Sequence, residues 1–290
     1  MTRIITSLSD ISESYNALFC DLWGCVHDGL APFAEAVTAL QAFRAKGGTV
    51  MLVTNAPRPH APVRRQLDRL GVPSDAYDGI ATSGDSARAA MLRGAVGEKV
   101  YFIGQPHDQD FFTPLELIET PVTISQVPLE QAEGIVCCGP FDPLADPEEM
   151  RAQFLQAKAR GLKLLCANPD IVVDRGETRE WCAGALAKLY TQMGGESLYF
   201  GKPHPPIYDL ARRRLEALGK DIPDSRILCV GDGILTDIDG ALGEDLDSLF
   251  ITGGLAVRET QTTDQPEPAA LMAYLTKEMR QPTYSIGKLR

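Results

Sequence analysis

The stretch Phe19-Cys20-Asp21-Leu22-Trp23-Gly24-Cys25-Val26-His27-Asp28-Gly29 decides how the rest of the chain is read. Its apolar lead-in of Tyr15, Ala17, Leu18, Phe19 and Cys20 predicts a buried strand that stops abruptly on Asp21. In an open parallel sheet, ligands sit beyond the carboxyl ends of the strands. A carboxylate at that point, followed by Gly24 and Gly29 where the backbone can turn tightly, is placed to face a substrate. Taken alone, an Asp with a nearby glycine also reads as a turn cap. The stretches that follow decide between the two.

Downstream of Gly29, Phe33, Val37, Leu40 and Phe43 recur at helical spacing behind Pro32 and ahead of Gly47-Gly48. A β-branched run from Thr49 to Val53 predicts a strand, Val63, Leu67 and Leu70 a helix ending at Gly71, and Gly79 to Thr82 another strand. Strand, helix, strand, helix, strand implies a parallel sheet with right-handed crossovers. The α/β pattern continues with a helix at Asp85 to Leu92, strands at Val100 to Ile103 and Gly134 to Cys138, and a helix from Pro147 to Arg160. A strand at Leu162 to Ala167 then leads to the turn Asn168-Pro169-Asp170. Beyond it come a strand at Leu198 to Phe200, the loop Gly201-Lys202-Pro203, a helix at Ile207 to Leu218, and a strand at Arg226 to Val230 ending on Gly231-Asp232. The strand Ser248 to Ile251, a polar loop at 256–268 and a helix near Ala269 to Met279 complete the pattern.

The bulk composition narrows the function. Lys plus Arg number 28 against 39 Asp plus Glu, for a net charge of −11, and the basic residues are scattered, so no nucleic-acid footprint is expected. The seven cysteines are odd in number, lie mostly in apolar runs and contain no Cys-x-x-Cys pair, which predicts buried reduced thiols and a cytoplasmic protein. The amino terminus is interrupted by polar residues too early for a signal peptide, and no apolar run reaches the ~20 residues of a membrane span. Neither export nor a membrane partner is expected.

Four strand ends carry the residues with chemistry: Asp21, Thr54-Asn55, Lys202 in its Gly-Lys-Pro loop, and Asp232 with Asp237 five residues on. Together they supply what phosphoryl transfer needs: a carboxylate to attack phosphorus, hydroxyl and amide donors for the transferring oxygens, a cation, and further carboxylates for magnesium. Magnesium favours a few carboxylates, some water and substrate phosphate over a full protein cage, and Asp21 with Asp232 meets that preference. Each piece alone is common. Order and spacing make the set specific.

In that order the chain resembles the haloacid dehalogenase superfamily, whose four motifs match as Asp21-Leu22-Trp23-Gly24, Val53-Thr54, Gly201-Lys202-Pro203 and Gly231-Asp232-Gly233-Ile234-Leu235-Thr236-Asp237. Thr54-Asn55, Gly29, Asn168-Pro169-Asp170, Gly201-Lys202-Pro203-His204-Pro205 and Thr236-Asp237-Ile238 look like its class IIA branch of para-nitrophenylphosphatases, nucleotide phosphatases and pyridoxal phosphatases. The resemblance implies a Rossmann-like core at 1–84 plus 184–290, a parallel sheet with helices on both faces, and an α/β cap of the C2 type inserted at 85–183. It further implies a magnesium-dependent phosphatase of small phosphorylated metabolites, with Asp21 as nucleophile. Thr54 and Asn55 would hold the phosphoryl group, Lys202 would balance charge, and Asp21, the Trp23 carbonyl, Asp232 and Asp237 would serve the cation. Arg58 and Arg175 become candidate substrate contacts, and there is room for a homodimer formed through the cap.

One position departs from the family. Where most phosphatases of this superfamily carry a second Asp that protonates the leaving oxygen, this chain has Trp23, which leaves open a phosphate-binding or regulatory protein with weak or no turnover. Haloacid dehalogenases and phosphonate hydrolases of the superfamily also lack that Asp and are alternatives; the dehalogenases use no metal, so Asp232 with Asp237 speaks against them and favours a phosphoryl substrate. His27 and Asp28 are the nearest substitutes for the missing acid, although His-Asp-Gly is also good turn chemistry with an exposed imidazole. The four histidines share no metal-ligand spacing, so no zinc site is expected.

Overall fold

The computed structural model describes residues 2–113, 121–175 and 178–290. The elements, in chain order, are β1 (Arg3–Ile4), β2 (Ala17–Cys20), α1 (Ala34–Ala45), β3 (Thr49–Thr54), α2 (His60–Leu70), β4 (Gly79–Thr82), α3 (Ser83–Leu92) and β5 (Lys99–Ile103). Next come β6 (Ser125–Gln126), β7 (Gly134–Cys137), α4 (Arg151–Ala159), β8 (Lys163–Cys166), β9 (Val172–Arg175), β10 (Thr178–Trp181), α5 (Ala183–Gln192) and β11 (Glu196–Tyr199). The last are α6 (Pro205–Ala217), β12 (Ile227–Gly231), α7 (Asp239–Gly243), β13 (Asp247–Ile251), α8 (Pro268–Glu278) and β14 (Tyr284–Ile286). No described helix is long and apolar enough to cross a membrane.

Two compact units divide the chain, the first made of 1–54, 64–81 and 202–290, the second of 55–63 and 82–201. The first is built on a seven-stranded sheet in the order β1-β14-β13-β12-β2-β3-β4. Strands β2, β3 and β12 are buried at every position. Because successive side chains point to opposite faces of a sheet, burial at every position means that both faces are covered, as the crossover helices of a parallel sheet require. On one face Ile207, Tyr208, Ala211 and Leu215 of α6 pack on Phe19, Met51, Val53 and Cys229. From β2 the chain runs outward to β3, whereas β12 lies on the other side of β2 and leads to β13. The switch point therefore falls between β2 and β12, where a ligand crevice opens in doubly wound sheets.

The second unit holds a five-stranded sheet ordered β11-β8-β7-β5-β6, parallel throughout, and the antiparallel pair β9 and β10. Cys137 belongs to the core beneath α4 and α5, while Cys138 belongs to the core beneath α3, so the adjacent cysteines point to opposite faces. The division differs from the expected boundary at 184. β11 pairs with β8 in register from Glu196↔Lys163 to Tyr199↔Cys166, and Ala183, Leu186 and Tyr190 of α5 pack in the second unit's core, which keeps the chain in that unit through Gly201.

Candidate active site

The site in the first unit starts from the strand ends. Asp21 follows β2 directly, and its amide donates to the Val230 carbonyl of the neighbouring β12 at 2.8 Å, which sets Asp21 beside the turn that carries Asp232. Gly24 makes that approach possible. It has φ +76°, and a Cβ there would collide with the Asp232 carboxylate. Only glycine accepts both the left-handed backbone and the close approach. The Asp232 Oδ2 accepts from the Leu255 amide at 3.0 Å, and no hydrogen bond reaches its Oδ1 among the described residues.

Lys202 enters from the loop before α6. Its Nζ donates to Asp21 Oδ1 and to Asp237 Oδ1, both at 2.6 Å, and the residue is only 4% exposed. Burial alone would favour the neutral amine, but the two carboxylates outweigh it and hold the ammonium well above its ordinary range. Burial raises Asp237 to about 6 against the pull of Lys202. Burial, then Asp21 and Asp237, push Asp232 well above the usual carboxylate range. Three buried carboxylates thus share one ammonium, and the excess of negative charge fits a divalent cation.

The donors that could hold such an ion are Asp21, Asp232 and Cys25, whose ligand atoms all lie within 4.8 Å of one another. Asp237, expected among the ligands, is not in this group. In the π-helical turn Ile234–Ile238 its carboxylate faces back, so that Oδ2 accepts from the Gly233 amide at 3.0 Å while Oδ1 is taken by Lys202. It is an anchor for Lys202. Cys25 was read in the sequence only as one buried thiol among seven. The signal for more was its position one residue after the glycine that turns the chain toward Asp232.

Trp23 and His27 support the loop. The His27 Nδ1 accepts from the Gly29 amide at 3.0 Å, and the ring lies edge-on to Trp23 with centroids 5.4 Å apart. A Cβ on Gly29, φ +86°, would collide with the Trp23 indole. The imidazole expected to be exposed is only 2% exposed. Asp28 does behave as turn chemistry predicts, its Oδ1 accepting from the Leu30 and Ala31 amides at 2.8 Å.

Thr54 closes β3, beside β2, and is buried. Asn55, next in the chain, belongs to the second unit, where its Nδ2 donates to Asp170 Oδ1 at 2.8 Å. Arg58 lies in the same segment, half-buried. Arg175 ends the backbone of β9, but its side chain lies outside the described residues.

A family model for haloacid dehalogenase-like hydrolases matches residues 18–117, and a second of the same kind matches 199–277. A haloacid dehalogenase-like hydrolase from Brucella suis 1330 is 40% identical, with TM-score 0.85, over 99% of this chain and 100% of that one. A 5'-nucleotidase from Bacillus subtilis is 24% identical across 91% of this chain and 98% of its own length. The structure of a glycerol phosphate phosphatase from Mycobacterium tuberculosis in complex with magnesium is 26% identical, with TM-score 0.69, over 97% of this chain and 77% of that one. The chain belongs to the haloacid dehalogenase-like hydrolases, in the class IIA branch, and is a phosphatase of that family.

Proposed function

We propose that the chain hydrolyses small phosphorylated metabolites of the sugar phosphate or nucleotide class, with magnesium as cofactor and Asp21 as nucleophile. The observation that carries the reading is the ion pair of Lys202 with both Asp21 and Asp237 at a strand end, beside Asp232. Such an ammonium sets a positive charge directly against the carboxylate that acts as nucleophile. The nucleotidase and the glycerol phosphate phosphatase among its relatives support the substrate class.

In the reaction a carboxylate oxygen of Asp21 attacks phosphorus, and the bond from phosphorus to the ester oxygen breaks. That oxygen leaves with the bonding electrons and takes up a proton from solvent. Water then attacks the phosphorus of the aspartyl phosphate, giving up a proton to solvent, and the bond to Asp21 breaks to release inorganic phosphate and restore the carboxylate. Lys202 balances the charge on Asp21, while Thr54 holds a transferring oxygen. Asp21, Asp232 and the main-chain carbonyl of Trp23 would hold magnesium, with Asp237 keeping Lys202 in place. When bound, magnesium supplies Lewis-acid neutralisation of the phosphoryl charge.

The test is turnover of para-nitrophenyl phosphate with and without magnesium. Turnover is expected to need the cation and to vanish in Asp21→Asn, and activity that survives chelation or that substitution overturns the reading. A panel of phosphorylated metabolites then identifies the substrate. Trp23 favours a second reading, an enzyme of weak turnover that chiefly binds phosphorylated ligands, because an indole neither gives nor takes the proton of the leaving oxygen. It predicts phosphate-dependent thermal stabilisation and only slow hydrolysis of any ester.

A further inference from the structure

The Cys25 thiol is 1% exposed and makes no hydrogen bond among the described residues. A buried, unpartnered cysteine ordinarily serves as a small hydrophobe. Cys25 stands in different surroundings. Its sulfur and one carboxylate oxygen each of Asp21 and Asp232 lie within 4.8 Å of one another, the only such trio of His, Cys, Asp or Glu donors among the described residues. Asp232, in the same cluster, leaves its Oδ1 without a hydrogen-bond partner among them. Two groups buried by more than nine-tenths therefore retain coordination capacity in one cluster. Ligands on a single ion, at about 2.0–2.2 Å for oxygen and 2.3 Å for sulfur, stand within roughly 4.5 Å of one another, so the trio needs little movement to close on one.

Oxygen donors alone suit a hard cation such as magnesium, whereas a thiolate selects a soft one. We propose that Cys25 converts the cation position of this site into one that also captures zinc or cadmium, with the Cys25 sulfur as third protein ligand beside Asp21 and Asp232, and that such capture inhibits the enzyme. The proposal rests on the reading above in placing the catalytic cation at Asp21 and Asp232. As the ion binds, the sulfur–hydrogen bond of Cys25 breaks, the proton passes to solvent, and the electron pair of the sulfur goes to the metal with no change of oxidation state. Inhibition follows because the soft ion occupies the carboxylates that magnesium requires and the added sulfur slows its departure.

The probe is cobalt(II), titrated into the metal-stripped full-length protein and followed by its sulfur-to-cobalt charge-transfer absorption in the near ultraviolet. A band that saturates at one equivalent is expected, absent in Cys25→Ser and in Asp232→Asn and retained in Cys182→Ser. Zinc should inhibit magnesium-supported turnover of the wild type, and Cys25→Ser should raise the zinc concentration needed by at least about 10-fold, the scale of losing a metal-site partner. Folded wild type that shows no band at saturating cobalt overturns the proposal without recourse to any variant, as does a band that survives Cys25→Ser. Either result together with normal magnesium-dependent turnover leaves the phosphatase reading standing. Absence of turnover with magnesium counts against that reading instead, while the band still decides whether Cys25 is a ligand.

Discussion

Replacing Lys202 with Met keeps most of the unbranched side chain and removes its charge, leaving the buried Asp21 and Asp237 without their cation. Breaking a buried pair by deleting one partner costs about 3–5 kcal/mol. The two carboxylates do not share this equally. At about 6, Asp237 already carries a cost of about 3 kcal/mol when ionised, relative to its ordinary 3.8. Without Lys202 it escapes by taking a proton, which at pH 7 costs a carboxyl of that ordinary pKa about 4 kcal/mol in all. Asp237 therefore adds only about 1 kcal/mol to the loss, and the remainder falls on Asp21.

The pH dependence follows from the same numbers. Between about pH 4 and pH 6 the folded, metal-free chain keeps a proton at Asp237 that the unfolded chain has lost, so this group's contribution to stability falls as pH rises through that window and is level above it. At pH 5, Asp237 is protonated in wild type and variant alike, and the Lys202→Met loss shrinks by about 1 kcal/mol. Urea denaturation of chelator-treated protein, followed by tryptophan fluorescence at pH 5 and pH 7, measures both values. A loss below about 1 kcal/mol at pH 7, or one that grows toward pH 5, would refute the assignment of a buried, charge-balanced triad.

Three further outcomes are expected. Gly24→Ala strains a left-handed position and drives a methyl group into the Asp232 carboxylate, so it should cost about 1–3 kcal/mol and weaken magnesium binding, read as a raised cation requirement in the turnover assay. Without a general acid at position 23, a group worth about 10²–10⁴ in rate, aryl phosphates should turn over far faster than alkyl phosphates, and equal rates would show that another residue protonates the leaving oxygen. His27→Ala should slow aryl and alkyl substrates by the same factor and lower stability by about 1–2 kcal/mol, whereas selective slowing of alkyl substrates with loss of one limb of the pH-rate profile would make His27 the acid.

What was legible in the sequence was local. The runs at Ala17–Cys20, Thr49–Thr54 and Ile227–Gly231 declare themselves because strands buried on both faces are largely apolar, and each leads directly into a polar residue, Asp21, Asn55 or Asp232. The helix from Ala34 to Ala45 is bracketed by proline and glycine that act through their own backbone angles. β11 was legible as a strand but not as a member of the second unit's sheet, since pairing with β8 more than thirty residues earlier leaves no mark on Leu198 or Tyr199 themselves. The edge pair β1 and β14 escaped notice because strands of two and three residues carry no period to detect.

The site divides along the same line. Asp21, Lys202 and Asp232 could be picked out because, although each is common alone, their order and spacing at successive strand ends form a specific set. Their relationships could not. Whether Asp237 serves the cation or Lys202 depends on how tightly the turn at Ile234–Ile238 brings the carboxylate back to Gly233, and the residue types there allow either. His27 makes the point most sharply. Turn chemistry correctly describes Asp28 and Gly29, whose roles depend on their own backbone angles and neighbouring amides. It misplaces His27, because the imidazole is drawn inward by two partners that only the closed loop supplies, the Gly29 amide and the edge of Trp23. The indole at position 23 accordingly has a supporting structure of its own, with a histidine on one side and a glycine that leaves room for it on the other. A residue held in this way is part of the site's construction, so Trp23→Asp would remove a packed side chain as well as add an acid. The leaving-group comparison in the intact chain is for that reason the sharper test of how this enzyme manages without a general acid at position 23.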